Sequence, residues 1–353
     1  MVFRIGHLGD TLISLPAFRA VRDDFPDAHI ALLSNVNVEN PQYVTDRSVL
    51  PTNGLFDEWI SYPSETGGLG KVAAFAGLFR KLRKAKFDAV VYLMTRNRTP
   101  ASVERDLKFF RLAGIKTIFG AKHLANNLLD PDDKAPLAEV EAEWKFLFDC
   151  VALDGIGTGS APIMDAASTD AEAKAANQWL AANCQGDNLR LLAVAPSAKW
   201  ESKAWHEDRF ASVVARLIDG HGVFPVVFGG AEDRELGERL IRKWGTGANA
   251  AGELDVRTAI AALGKCELYL GNDTGTMHMA AAAGTRCVGI FAAIDRPNRW
   301  SPFGEGHSIF RQSVECEGCN APVCFNMHKC LVLIPEEPVF RVCDDILKEL
   351  TGR

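Results

Sequence analysis

The chain has 353 residues, of which 47% are hydrophobic and 24% charged. That balance belongs to a globular protein, and the length exceeds what one core sustains, so two domains are expected. A net charge of −6 argues against the basic footprint of a nucleic-acid binder. No apolar run is long enough to span a bilayer.

Arg4, Gly6, His7 and Asp10 interrupt the amino-terminal region, so no signal peptide is read and a cytoplasmic location is expected. In a reducing compartment the nine cysteines should be free or metal-bound rather than paired as disulfides.

Val2–Ile5 reads as a short strand. Thr11 to Phe25 reads as a helix, with Leu12, Leu15, Phe18 and Val21 at helical spacing. Ala28–Leu33 is the next strand. Phe87–Leu93 is a near-continuous apolar run, as expected of a strand buried on both faces. Between Asp154 and Ser168 the composition shifts to Gly, Ala, Pro and Ser, which marks the inter-domain region.

The alternation then restarts. Helices are predicted over Asp170–Asn183, Trp205–Asp219, Glu232–Trp244 and Val256–Leu263, and strands over Leu191–Ala195, Phe224–Phe228, Leu268–Leu270 and Cys287–Phe291. Pro338–Leu350 is a final amphipathic helix. Strands alternating with helices predict parallel βαβ units, hence an α/β fold. No solenoid repeat or low-complexity tract is found. The boundaries are 1–165, 166–335 and a terminal helix over 336–353, expected to pack back on the first domain. Two doubly wound domains of this kind are expected to face a central cleft, with ligands at the carboxyl ends of the strands.

The most informative stretch is Asn272-Asp273-Thr274-Gly275-Thr276-Met277-His278, followed by small residues to Gly284. It predicts a strand, a polar turn and a helix. The first-turn amides of such a helix have no internal partner and carry about half a positive charge, so an anion sits there readily. A carboxylate, hydroxyls and an imidazole beside that cradle suit the hydroxyls of a sugar. Together they suggest a nucleotide-sugar.

Two segments from opposite halves then carry a resemblance. Arg4-Ile5-Gly6-His7-Leu8-Gly9-Asp10-Thr11-Leu12 with Leu15-Pro16-Ala17, and the Asp273–Gly284 stretch, resemble glycosyltransferase family 9, the heptosyltransferases of lipopolysaccharide core assembly. Lys203-Ala204-Trp205 with Arg209-Phe210, Gly229-Gly230-Ala231-Glu232, and Trp300-Ser301-Pro302-Phe303-Gly304 match the same family in order. The resemblance implies a GT-B fold with two Rossmann-like domains, an inverting transfer and no metal required for catalysis.

It also implies site residues. Asp10 falls where the family has its catalytic base; a carboxylate of ordinary pKa is ionised at pH 7 and can take a proton from an attacking hydroxyl. The plainer reading of Asp10 is a helix cap. Gly6 and Gly9 let backbone bend round a ligand; the motif is not a dinucleotide fingerprint. Lys203 is expected on the leaving diphosphate, with Ser197 beside it and Lys199 as its competitor. No Asp-x-Asp is read as poised for a divalent cation.

Glu232 is expected on the ribose hydroxyls, and the Leu254 backbone on the base. Asp273, Thr274, Gly275, Thr276 and His278 form the donor clamp. Gly9, Arg96 and Arg98 are expected on the acceptor side, the arginines holding an anionic glycan. A solvated loop is the plainer reading for the arginines.

The dense basic run Arg80–Lys86 suits docking on the inner-membrane surface, although an exposed helix face explains it as well. Cys316, Cys319, Cys324 and Cys330 have a spacing that fits a structural zinc site. His328 is a substitute ligand, and reduced thiols or disulfides are the alternatives. Cys150, Cys184, Cys266 and Cys287 lie in apolar runs or near helix ends and read as core or incidental.

The expected activity is therefore transfer of a sugar, with ADP-heptose the favoured donor, to a glycan or glycolipid acceptor. A nucleotide-sugar 2-epimerase of the same fold and a non-catalytic nucleotide-sugar-binding protein are the alternatives. No nucleic-acid partner is expected, and the oligomeric state is open.

Overall fold

The computed structural model describes residues 1–36, 44–51, 54–63, 68–186 and 188–352. The chain divides into two compact units, Met1–Asp132 with Glu143–Met164, and Asp133–Ala142 with Asp165–Arg353.

The first unit holds a parallel sheet of β1 (Val2–Phe3), β2 (Ala31–Val36), β3 (Glu58–Pro63), β4 (Ala89–Tyr92) and β5 (Thr117–Phe119). Their spatial order is β3-β2-β1-β4-β5, and every described pairing is parallel. Val2, Leu32, Leu33, Val90 and Tyr92 are buried in it, so the apolar runs become sheet because helices cover both faces. The order reverses between β1 and β4. At such a switch point the loops leaving two neighbouring strands part in opposite directions and leave a ligand crevice.

The second unit repeats the plan with β6 (Arg190–Ala195), β7 (Val223–Val227), β8 (Ala248–Asn249), β9 (Leu268–Asn272), β10 (Cys287–Phe291) and β11 (Ser308–Arg311). The order is β11-β10-β9-β6-β7-β8, again parallel throughout. Its switch point lies between β6 and β9. Every residue of β9 and β10 is buried.

Two expectations change. The single helix predicted over Thr11–Phe25 is two helices, Leu8–Leu12 and Leu15–Asp24. Pro16 in the first turn of the second has no N–H to donate and clashes with a preceding turn, so the chain re-starts at Ser14 rather than continuing. The terminal helix, Glu336–Thr351, packs in the second unit rather than on the first. Val339, Cys343, Ile346 and Leu347 join that unit's core. His221 lies 2.7 Å from Asp344, and Arg190 donates to the Leu347 carbonyl at 3.1 Å.

The Asp133–Ala142 segment also belongs to the second unit. There Leu137 N–H donates to Glu317 at 3.0 Å, Val140 N–H donates to the Pro297 carbonyl at 3.2 Å, and Asn298 donates to the Val140 carbonyl at 3.0 Å.

Candidate donor and acceptor sites

In the first unit, Asp10 lies on the short helix that follows β1, at the switch point. Its side chain keeps 22% exposure. One carboxylate oxygen accepts the His7 N–H at 2.8 Å, so Asp10 does cap its helix. The other lies 3.8 Å from the Arg4 guanidinium. A carboxylate has about four acceptor positions, so capping leaves room for an incoming hydroxyl.

Gly6 is fixed by this arrangement, because a Cβ there would collide with the Asp10 side chain. Gly9 is half-buried in the same turn and its carbonyl accepts the Ile13 N–H at 3.0 Å.

Two neighbours were not singled out from sequence. Arg4 is fully buried and donates twice to the Asp10 carbonyl, at 2.7 and 3.2 Å, and once to the Leu93 carbonyl at 3.1 Å. It ties the loop after β1 to the end of β4. Asp46 is buried and accepts from the Thr11 hydroxyl at 2.5 Å. Burial pushes its carboxyl above the ordinary range, against the pull of bonds from Ser34 and Thr11. Arg4 opens the amino-terminal segment that carries the family resemblance, but its role there was not assigned from sequence.

The arginines after β4 are occupied differently from expectation. Arg96 is 4% exposed and bound to Glu143, itself fully buried, through Nε and Nη2 at 3.1 Å. Its guanidinium also lies over the Phe146 ring at 4.5 Å. Arg96 therefore ties this loop to the helix Glu143–Ala152, and its charge is already neutralised in the interior. Arg98 is paired with Asp106, which also accepts from Tyr92 at 3.0 Å.

In the second unit the predicted donor residues gather at the carboxyl ends of β6, β7 and β9. Lys203 Nζ lies 2.5 Å from Asp273 Oδ2, with 20% and 8% side-chain exposure. A half-buried ammonium needs a counter-charge, and Asp273 supplies it. Lysine has three donors, so this pairing leaves others for a phosphate. Lys199 is exposed on the same loop.

Asn272, which opens that informative stretch but was given no role from sequence, closes the switch point. Its Oδ1 accepts the Trp205 N–H at 3.1 Å, and its amide donates to the Pro196 and Ser197 carbonyls at 2.9 and 3.2 Å. Trp205 is 2% exposed and donates to the Ile334 carbonyl at 3.3 Å, so the Lys-x-Trp tryptophan is an anchor in the core.

The loop after β7 completes this end. Asp233 accepts the Gly230 N–H at 2.8 Å and bonds the Ser197 hydroxyl. Burial pushes its carboxyl above the ordinary range, and those two bonds pull it back. Glu232 stands exposed beside it. Gly252 N–H donates to the Gly229 carbonyl at 3.1 Å, and a Cβ on Gly252 would lie 2.6 Å from the Ala231 Cα. This close approach, at a φ of +71°, explains glycine there. Leu254 follows, half-buried.

Thr274 is the N-cap of the helix Gly275–Ala282, in an extended conformation without a side-chain cap. The amides of Gly275 and Thr276 thus open the helix beside Asp273, as the anion cradle requires. His278 is buried one turn inside.

Cys316, Cys319, Cys324 and Cys330 line one cavity of about 10 Å³, room for roughly one water. All nine cysteines are free. Among the described residues no three His, Cys, Asp or Glu side chains are arranged as a metal's ligand set, so the zinc reading gains no support from the placement of these thiols. One Asp-x-Asp spacing occurs, Asp130-Pro131-Asp132; there Asp130 accepts the Asp132 N–H at 2.9 Å. In the basic run, Lys81 pairs with Glu58 at 3.0 Å and Arg83 lies over Phe79. Among the described residues, no helix is long and apolar enough to cross a membrane.

Comparison with known proteins gives the family and the fold. The sequence profile of glycosyltransferase family 9 (heptosyltransferase) matches residues 75–329, more than half of the chain. Lipopolysaccharide heptosyltransferase 2 of Escherichia coli is 30% identical over 107 residues, 29% of this chain and 30% of that protein. The chain thus spans less than a third of that relative. The lipopolysaccharide core heptosyltransferase OpsX of Haemophilus influenzae is 22% identical over 86% of this chain and 81% of its own length. The structure of the E. coli ADP-heptose lipopolysaccharide heptosyltransferase II superposes with a TM-score of 0.68 over 99% of both chains at 19% identity, a likeness of fold.

Proposed function

Because the chain belongs to glycosyltransferase family 9, the heptosyltransferases, we propose that it transfers a heptose from ADP-heptose, with inversion, to an acceptor of the lipopolysaccharide-core type. The observation that carries this reading is the Lys203–Asp273 pair at the switch point of the second sheet, beside the opening amides of the helix Gly275–Ala282. That combination offers a cation, a sugar-hydroxyl acceptor and an anion cradle in one place.

In the proposed reaction an acceptor hydroxyl attacks the anomeric carbon while the bond to the diphosphate breaks. Asp10 takes the hydroxyl's proton. ADP leaves with one more negative charge, which Lys203 and the helix amides stabilise; groups aimed at developing charge are typically worth about 3–4 kcal/mol each. The mechanism needs no divalent cation, because these groups supply the positive field. Glu232 accepts from the ribose hydroxyls, Ser197 and Thr274 flank the diphosphate, and the Leu254 backbone meets the base. The acceptor sits against Gly9. Arg96 drops out of this set, since its guanidinium is buried against Glu143. Contact of the Arg80–Lys86 face with an anionic membrane fits a lipid-borne acceptor.

The test is Asp10→Asn, assayed for transfer and for ADP binding by calorimetry. Transfer should fall about 10²–10⁴-fold with ADP affinity unchanged. A variant that turns over at the wild-type rate removes Asp10 from the role of base.

A further inference from the structure

Lys203 is the last residue of a short 3₁₀ turn, Glu201–Lys203. One side of that turn faces Asn272 and Asp273. Its other side is held by the cysteine-rich loop. Ser202, 2% exposed, donates its hydroxyl to the Ala321 carbonyl at 2.6 Å and its N–H to the Pro322 carbonyl at 3.2 Å. Glu201 accepts the Cys324 N–H at 2.9 Å, and its other carboxylate oxygen lies 2.7 Å from His328 Nε2.

The thiols shape the loop that offers these partners. Cys324 Sγ accepts N–H bonds from Asn326 at 3.4 Å and His328 at 3.1 Å, while Cys316 Sγ accepts from the Asn326 side chain at 3.3 Å. Cys316 and Cys319 pack on the core, and Ser202 lines the same cavity as the four thiols.

A lysine side chain has several rotatable bonds and gains little from a site unless its backbone is fixed. Here three backbone-directed bonds fix the two residues just before it. We propose that Ser202 and Glu201 are positioning residues for the donor diphosphate, and that the cysteine-rich loop is the rear wall of the Lys203 turn. This rests on the assignment of Lys203 to the diphosphate.

The experiment is a double-mutant cycle read by calorimetric titration of ADP into the full-length protein, with thermal unfolding as the folding control. Losing one buried bond of this kind should weaken ADP binding by Ser202→Ala about three- to tenfold. Lys203→Ala, which removes a charged donor, should weaken it about ten- to a hundredfold. If Ser202 acts through Lys203, adding Ser202→Ala to Lys203→Ala changes ADP affinity less than twofold. A purely structural serine would multiply the two losses instead, and that result overturns the proposal.

Unchanged affinity in Ser202→Ala also overturns it while leaving the Lys203 assignment standing. Unchanged affinity in Lys203→Ala overturns both. Glu201→Ala, at an exposed position, runs the same cycle where Ser202→Ala folds poorly: weaker ADP binding that vanishes in the Lys203→Ala background supports the proposal, and unchanged binding refutes it.

Discussion

Arg96 stands in the loop after β4, at a switch point, where an anion-binding side chain is expected from position alone. What position cannot reveal is Glu143, 47 residues further on, whose buried carboxylate meets both the Arg96 guanidinium and its backbone N–H. Removing one member of such a pair leaves a bare charge in the interior, which costs about 3–5 kcal/mol. Arg96→Ala should therefore lower the unfolding free energy by about that much, measured by urea denaturation. A variant of unchanged stability but weaker acceptor binding would return Arg96 to the acceptor side. The turns that hold Asp10 and Lys203 were legible because glycines and a tryptophan close in sequence mark them. Arg4 and Asn272 were not, since their partners, Leu93 and Trp205, lie 89 and 67 residues away.

At the scale of elements, the strands buried on both faces were legible as apolar runs: β4, β6, β7, β9 and β10 fall where hydrophobic content predicts them. The edge strand β3, Glu58–Pro63, was missed, because its half-exposed residues do not form a continuous apolar run. The connection from β10 to β11 is pinned by an imidazole that sequence did not single out. His307 Nδ1 accepts the Cys287 N–H at 3.0 Å, so its Nε2 carries the hydrogen that meets the Phe303 carbonyl at 2.7 Å. Burial lowers its pKa from the ordinary 6.5. With the folded value below the unfolded one, the unfolded chain binds the extra proton first. The stability this group contributes is thus complete above about pH 6.5 and is lost as pH falls below it. The melting temperature should drop between about pH 7.5 and 5.5, and His307→Gln should flatten that slope. An identical slope in the variant would assign the acid sensitivity elsewhere.

At the scale of the molecule, the α/β class, the two-unit plan and the family were all legible, because motifs at both ends of the chain and the strand–helix alternation agree. Within the second unit, the residues proposed to hold the donor converge on one sheet end although they are drawn from segments near residues 197, 232, 252 and 273. A ligand that joins those segments favours the folded chain by mass action. ADP at a hundred times its dissociation constant should stabilise by about 2.7 kcal/mol, seen as a rise in melting temperature, whereas UDP and GDP at the same concentration should give less. A larger rise with UDP would move the donor away from an adenine nucleotide.

The Asp133–Ala142 segment bears on how this polypeptide can be divided. Because the chain enters the second unit, returns to finish the first, and then enters the second again, no single scission yields two self-sufficient halves. A fragment ending at Met164 would carry a stretch whose hydrogen-bonding companions, Pro297, Asn298 and Glu317, had been left behind. The complementary fragment from Asp165 onward would present those same groups bare to solvent, so co-expression of the two pieces, rather than either alone, is the route to a separable form.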